Sequence, residues 1–339
     1  MRIALDAMGG DHGPEELIGG ALLAVKQTGL DVTLVGDRQI LQAHLDRLAA
    51  GNTGLSHIQI VHASEVVEMG ESPVDAIRRK KDASVLVAFE LVRQGQVDAA
   101  VSAGNSGATM AAAVRKLGRM EHVSRPGIAS IFPTLKKPVV MMDVGANVDC
   151  RPQHLFQFAV MASAFSHIFD IDHPRIGILS IGEEVGKGNI LVKETYARLA
   201  ASSLNFVGNV EGRDVFQGDV DVIVCDGFVG NICLKISEGL AGAAMQMLKD
   251  EIMKSTLAKI GYFLARPAFR AFAKRVDYAE YGGAPLLGVN GIGIICHGKS
   301  SAEAIKNAIL EAAKMVEKQV NQKIAAGLAL SAQDEEVVV

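Results

Sequence analysis

Short β-rich runs alternate with helical stretches along this chain, and that alternation limits the fold more than any other feature. The runs are Ile3–Leu5, Val32–Val35, Ile58–Val61, Ala99–Val101, Ile128–Phe132, Val139–Met142, Ile176–Ile181 and Val222–Cys225. Ala- and Leu-rich stretches with a helical apolar period lie between several of them, at Glu15–Gln27, Ile40–Ala50 and Leu191–Ala201. Strand–helix alternation predicts an α/β protein with a largely parallel sheet. The runs lack polar alternation, which fits a sheet covered on both faces. At 339 residues the chain is long enough for one large domain or two lobes.

Where these runs end, glycine-rich polar clusters recur. They are DAMGGDHGP (6–14), SAGNSGA (102–108), DVGANVD (143–149), GEEVGKGN (182–189) and DGFVGN (226–231). Ligands of open α/β sheets bind outside the carboxyl ends of the strands. Any one such loop is also what a tight turn or helix cap requires. Five of them, each carrying Asp, Asn, Glu or Lys, favour a shared site, with the loops on one edge of the sheet lining one cleft.

The clusters suggest anion binding. SAGNSGA runs into an Ala-rich helix, and amides at a helix N-terminus hold anions well. Ser106 and Asn105 add donors there; the alternative is a plain capped helix with Ser102 or Asn105 as N-cap. Lys187 sits between Gly186 and Gly188, either as a solvated charge or as a phosphate ligand. Asn231 stands near the start of another helix and is either its cap or a donor. His12 is the one histidine inside a candidate loop.

Several chemistries are unsupported. No G-x-G-x-x-G or Walker A pattern is present, and no G-x-S-x-G elbow. The cysteines 150, 225, 233 and 296 form no C-x-x-C pair and suit buried, reduced thiols. The histidines follow no metal spacing. A net charge of −4 gives no nucleic-acid signature. The N-terminal stretch is too short and too acidic for a signal peptide, and no run of eighteen apolar residues exists. Anion binding without a metal, a nucleotide motif or an enzyme-borne nucleophile leaves the substrate itself as the nucleophile.

Two further segments stand out. AIRRKKDAS carries consecutive cations at Arg78, Arg79, Lys80 and Lys81, read either as a solvated helix face or as a dock for an acidic partner. Residues 252–276 contain six cations and no acid, with aromatics at Tyr262, Phe263, Phe269 and Phe272. Gly261 and Pro267 interrupt the helical pattern there, predicting two helices joined by an apolar tip around Tyr262–Ala265, with Pro267 in the first turn of the second. The pair suits either a dimer interface or an anionic membrane surface.

IALDAMGGDHGP, RRKKDAS, SAGNSGA, MMDVGAN, DGFVGN and GVNGIGIICHGKSS, in this order, together resemble the PlsX family of acyl-acyl carrier protein:phosphate acyltransferases. The resemblance runs from residue 1 to about residue 315. It implies a three-layer α/β/α fold like that of isocitrate and isopropylmalate dehydrogenases, with two intertwined lobes. It further implies a homodimer without cofactor or metal. One catalytic domain is expected over 1–330, with a helical hairpin at 250–277 within it and a flexible tail at 331–339.

The implied reaction moves a fatty acyl group from acyl carrier protein to inorganic phosphate, and the acyl phosphate feeds phospholipid synthesis. Lys187 and Asn231 are the expected donors to phosphate or oxyanion, and the amides of Gly104, Asn105, Ser106 and Gly107 the cradle. Asp6, Asp11, Asp143, Asn147 and Asp226 are expected to orient donors and hold loops, Asp226 standing with the catalytic pair. Gly9, Gly10, His12, Gly145, Asn189 and Gly227 complete the expected substrate-binding set. Arg78 to Lys81 are the expected carrier-protein dock, and Tyr262, Phe263, Leu264 and Phe269 the expected membrane contact. A cytoplasmic enzyme resting on the inner face of the membrane follows, touching the glycerol-3-phosphate acyltransferase downstream. An acyltransferase using acyl-CoA, a nicotinamide dehydrogenase and a non-enzymatic membrane scaffold are the rival readings.

Overall fold

A computed structural model describes residues 1–48, 55–276 and 281–337. The strands are β1 (Arg2–Asp6), β2 (Asp31–Gly36), β3 (Ile58–His62), β4 (Ala99–Ser102), β5 (Gly127–Phe132), β6 (Val139–Met142), β7 (Ile176–Leu179), β8 (Phe206–Val210), β9 (Val222–Val224), β10 (Ala284–Leu287) and β11 (Ile292–Ile295). The helices in the first half are α1 (Pro14–Thr28), α2 (Arg38–Leu48), α3 (Pro73–Arg79), α4 (Ser84–Arg93), α5 (Ser106–Leu117) and α6 (Pro152–Phe165). Then come α7 (Ile190–Ala200), α8 (Gly227–Lys254), α9 (Thr256–Val276), α10 (Ala302–Glu317) and α11 (Val320–Val337).

All eleven strands join one sheet in the order β3-β2-β1-β4-β11-β10-β5-β6-β9-β7-β8. Pairing is parallel except around β10 and β5, where β10 runs against β11 and β5, and β5 against β6. Side chains alternate across the sheet as period-two geometry requires. Ile3 and Leu5 of β1 enter a core shared with α1, α6, α10 and α11, while Ala4 enters a second core with α4 and α5. Helices therefore cover both faces, and the expected α/β/α layering is what forms. The chain leaves the first lobe after α5, builds β5 to β9, and returns through β10 and β11, so that α10 packs beside α1.

β8, β10 and β11 were not expected from the sequence. Pro285 and Gly293 interrupt β10 and β11, and Gly208 interrupts β8; such residues read locally as turn signals. Their pairing is set at long range, Leu286 of β10 lying opposite Ile128 of β5.

The basic segment also differs from expectation. The two helices meet at Ser255, not at Tyr262–Ala265, and Pro267 lies inside α9. Ser255 adopts extended backbone, φ −126° and ψ 132°. Its Oγ accepts from the Ala258 amide at 3.4 Å and its carbonyl from the Lys259 amide at 3.1 Å, so it caps α9. A proline removes one ladder hydrogen bond, and α9 continues through it, with the Tyr262 and Phe269 rings 5.1 Å apart. At the C-terminus α11 stays helical to Val337, where a flexible tail from 331 was expected. Residues 49, 50, 277, 338 and 339, within the expected second helix, hairpin and tail, lie outside the described residues.

Candidate active site

The candidate loops do follow strands β1, β4, β6, β7 and β9. Their contacts gather them into groups rather than one row. In the first group the loops after β1 and β4 interlock. Gly9 is buried, and a Cβ there would fall 2.7 Å from the Gly104 nitrogen, so only glycine permits this approach. Beneath them, Ser102 Oγ donates to Asp6 Oδ2 at 2.7 Å and accepts from the Gly104 amide at 3.2 Å. Asp6 is 2% exposed. Burial pushes its carboxyl above the usual value, against the pull of the Ser84 and Ser102 hydroxyls. A small space of about 10 Å³ lies between Asp6, Ser102, Asn105 and Thr109, about what one water requires.

Asn105 settles which residue caps α5. Its Oδ1 accepts from the Ala108 amide at 3.0 Å. Its Nδ2 donates to Met69 O at 2.9 Å and Glu71 O at 3.3 Å, pinning segment 69–71 against the loop. The Ser106 and Gly107 amides open α5 and have no intrahelical acceptor. Asp11 and His12 are exposed at the rim, and the Asp11 amide donates to Gly298 O at 2.7 Å. Gly10 has a φ of 93° and faces the same carbonyl.

That contact adds a third wall, residues 297–301, which the sequence reading did not include as site residues. It follows β11 and presents exposed His297 and Lys299. The signal was available: an apolar run, GIGIIC, closed by the polar glycine cluster HGKSS.

The second group joins the loops after β6 and β9. Asp143 is fully buried, with Oδ1 accepting from the Ile128 amide at 3.0 Å and the Ala146 amide at 3.2 Å. Its Oδ2 accepts from the Asn147 amide at 2.7 Å and Nδ2 at 2.8 Å. Burial pushes this carboxyl up, opposed by the Asn147 side chain and these amides. Asn147 Nδ2 also donates to Pro126 O at 2.8 Å. Both side chains thus organise the loop from inside. Gly227 closes against it, its amide donating to Asn147 O at 2.7 Å. Asp226 caps α8, its Oδ1 accepting from the Phe228 and Val229 amides at 3.0 Å each. Asn231 does not cap; it stands exposed one turn into α8, beside Gly145.

The loop after β7 carries Lys187, exposed, its stem against Gly182. Asn189 caps α7, accepting from the Val192 amide at 2.9 Å. The loop is tied down by Asn209 Nδ2, which donates to Glu184 O at 2.8 Å, and by an Arg213–Glu183 ion pair at 3.1 Å.

Strand direction matters for how the groups meet. Following the pairings, β6, β7 and β9 run opposite to β1 and β4. In a flat sheet their carboxyl ends would lie at opposite edges, against the expectation of five loops on one. Twist of about 20–25° per strand accumulates over the steps from β4 to β9 to roughly 100–125°. Rotation of that size turns the second set of strands well away from strictly antiparallel to the first.

The thiols are poorly placed for nucleophilic work. Burial pushes Cys225 well up and Cys150 up to about 11, with Asp143 adding to both. They stay protonated at neutral pH. The run of cations is split. Arg78, Arg79 and Lys81 are exposed, whereas Lys80 turns inward, donating to Val66 O and Glu71 Oε2 at 2.6 Å each. Lys80 is therefore a structural clamp and not part of the outward-facing cluster. Tyr262, Phe263 and Leu264 are exposed on α9, the last two at 70% and 74%.

Residues 1–323 match the family described as fatty acid synthesis protein. The chain belongs to that family, the PlsX family. It is 55% identical over 324 residues to a phosphate acyltransferase of Nitratidesulfovibrio vulgaris, covering 95% of this chain and 93% of the relative. It is 55% identical over 325 residues to one of Pelotomaculum thermopropionicum, covering 96% and 94%. Among solved structures, a phosphotransacetylase from Streptococcus pyogenes aligns with a TM-score of 0.64 at 18% identity, over 94% of each chain. A 4-hydroxythreonine-4-phosphate dehydrogenase from Klebsiella pneumoniae aligns at 0.56 and 16%, over 93% and 99%. These two likenesses concern the fold. As a member of the PlsX family, the chain is an acyltransferase that transfers acyl groups to phosphate. Among the described residues, no helix is long and apolar enough to cross a membrane.

Proposed function

We propose that the acyl donor is a fatty acyl-acyl carrier protein and that the acyl phosphate formed serves phospholipid synthesis. The observation that carries the site is the opening of α5. Its Ser106 and Gly107 amides, in the first turn and without an intrahelical acceptor, follow a loop that Gly9 and Gly104 bring close and Asn105 pins. Inorganic phosphate docks on those amides, where fixed N–H dipoles favour an anion.

A phosphate oxygen attacks the thioester carbonyl. The C–O bond forms, a tetrahedral oxyanion collects the charge, and the C–S bond breaks to release the carrier's thiolate. No residue forms an intermediate, in keeping with thiols held protonated. Lys187 and Asn231, both exposed, donate to phosphate or oxyanion. Such a donor is worth about 10²–10³ in turnover. Asp6, Asp143 and Asp226 act through the backbone they hold.

A second copy covers α8, whose Phe228, Ile232, Ile236 and Leu240 repeat every fourth residue and are each exposed. α9 rests on an anionic membrane, cations flanking Leu257, Phe263 and Leu264. There the product passes to a glycerol-3-phosphate acyltransferase.

The test is direct. The full chain is incubated with palmitoyl-carrier protein and labelled orthophosphate, and the lipid product is extracted and separated by thin-layer chromatography. Label in a palmitoyl anhydride, made faster from the carrier donor than from palmitoyl-CoA, is the expected result. Faster turnover of palmitoyl-CoA would reassign the donor, and absence of label from both would end the proposal.

A further inference from the structure

Helices α3 and α5 flank a groove of about 430 Å³, lined by Val74, Ile77, Arg78, Ala111 and Arg115. Its volume falls within the range of small-ligand sites, roughly 300–1,000 Å³. Its floor is apolar and its polar groups are two guanidiniums. We infer that this groove binds the phosphopantetheine arm of an acyl carrier protein, its phosphodiester on Arg78 and Arg115. This rests on the carrier-dependent reaction proposed above.

The groove lies beside the α5 opening. Pro73, at the start of α3, lies so close to Gly107 that a Cβ there would meet its Cγ at 2.7 Å. Asn105 ties residues 69 and 71, just before α3, to the same loop. Arg115 Nη1 donates to Ile77 O at 2.7 Å, which fixes the guanidinium across the groove floor. A helix rises about 1.5 Å per residue, so Arg115 stands roughly 13 Å along α5 from Ser106. An extended pantetheine chain spans that length, running from a phosphate at Arg115 over Ala111 and Ile77 to bring its thioester to the loop.

The charge pattern points to a carrier protein as the source of the arm. Exposed Arg79 and Lys81 extend the positive surface beyond the groove. Lys80 is absorbed by Glu71, and the acid on α3, Asp75, accepts from Ser72 Oγ at 2.9 Å. The mouth therefore presents four cations, Arg78, Arg79, Lys81 and Arg115, against one exposed α3 carboxylate, Asp75, a net positive face for an acidic partner whose complementary field steers the encounter. Guanidiniums grip a phosphodiester through paired, charge-assisted hydrogen bonds.

Equilibrium binding separates this site from the reaction. The full chain is titrated calorimetrically with 4′-phosphopantetheine, with pantetheine and with holo-carrier protein. The wild type is expected to bind phosphopantetheine at least tenfold more tightly than pantetheine. Arg78→Ala should erase that preference, and Arg115→Gln should reduce it while the fold, followed by circular dichroism, persists. Lys81→Glu should weaken holo-carrier protein about tenfold and leave phosphopantetheine unchanged. Equal binding of the two arms by the wild type, or a preference that survives in Arg78→Ala, overturns the groove. An unchanged carrier affinity in Lys81→Glu overturns the carrier protein as occupant. Failure to form acyl phosphate with the phosphate preference intact would sink the proposed reaction and leave the groove standing.

Discussion

Ser102 Oγ donates to Asp6 Oδ2 across 2.7 Å, joining the carboxyl ends of β1 and β4 under the loop that opens α5. Both residues are 2% exposed. The same hydroxyl accepts from the Gly104 amide, so one side chain couples the Asp6 carboxyl to the loop's backbone. Ser102→Ala leaves a buried acceptor and a buried amide short of a partner, which costs about 1–3 kcal/mol. Urea unfolding should show that loss. A change below about 0.5 kcal/mol would mean that another group or a water takes over both bonds.

Asn105 holds α5 and segment 69–71 together. Asn105→Ala removes an N-cap, worth about 1 kcal/mol, and frees the loop on which phosphate is proposed to dock. The expected result is a KM for inorganic phosphate raised at least fivefold. An unchanged phosphate KM in a measurably destabilised variant would confine Asn105 to the scaffold.

Lys187 and Asn231 leave their head groups outside the packing that engages Asp143, Asn147 and Asp226. That contrast is the reason the two are proposed as donors and the others as organisers of the loops. Lys187→Ala and Asn231→Ala should each lower kcat at least tenfold with unchanged thermal melting. Normal turnover in both would remove them from the chemistry.

Much of this arrangement was legible in the sequence, because strand ends in α/β sheets are marked by local needs. Asn105 reads as a helix cap and is one, whereas Asn189 and Asp226, expected among the binding and catalytic residues, also prove to be caps, and Asn231, the cap candidate for α8, does not. What was hidden depends on partners far along the chain. β10 and β11 look like turns until β5 and β4 supply their ladders. Lys80 cannot be told from Arg79 by sequence, since its inward turn depends on Glu71 and the Val66 carbonyl. Pro267 reads locally as a helix breaker and Ser255 carries the weaker cap signal, so the true junction of the two helices is hidden in the sequence. The five loops were expected on one edge because alternation reveals strands but not their direction.

Glu311 of α10 predicts an inverted pH dependence. Its carboxylate oxygens are buried without a hydrogen-bond partner; the Gly283 amide lies close without a regular bond to them. Burial pushes the carboxyl well above the usual 4.5. The unfolded chain loses this proton near that value while the folded protein keeps it. Stability from this group is therefore full below 4.5 and declines as pH rises toward the raised value, by about 1.4 kcal/mol per pH unit in that window. Glu311→Gln has no such titration. Its melting temperature relative to wild type should climb between pH 5 and pH 8. A constant difference across that range would show that Glu311 ionises alike in both states.

The exposed face of α9 is where the proposed membrane contact can be tested. Leu257, Phe263 and Leu264 are 80%, 70% and 74% exposed, and the helix carries cations at Lys259, Arg266, Arg270 and Arg275 with no acid. Burying a leucine in the acyl boundary contributes about 1.5–3 kcal/mol, and anionic headgroups add attraction for the cations. Leu264→Glu loses the first term and opposes the second. Its partitioning onto phosphatidylglycerol-containing vesicles should fall at least tenfold, while activity with soluble donor changes less than twofold. If the variant instead keeps its vesicle binding but dissociates in sedimentation, the same face belongs to a second copy of the chain rather than to lipid.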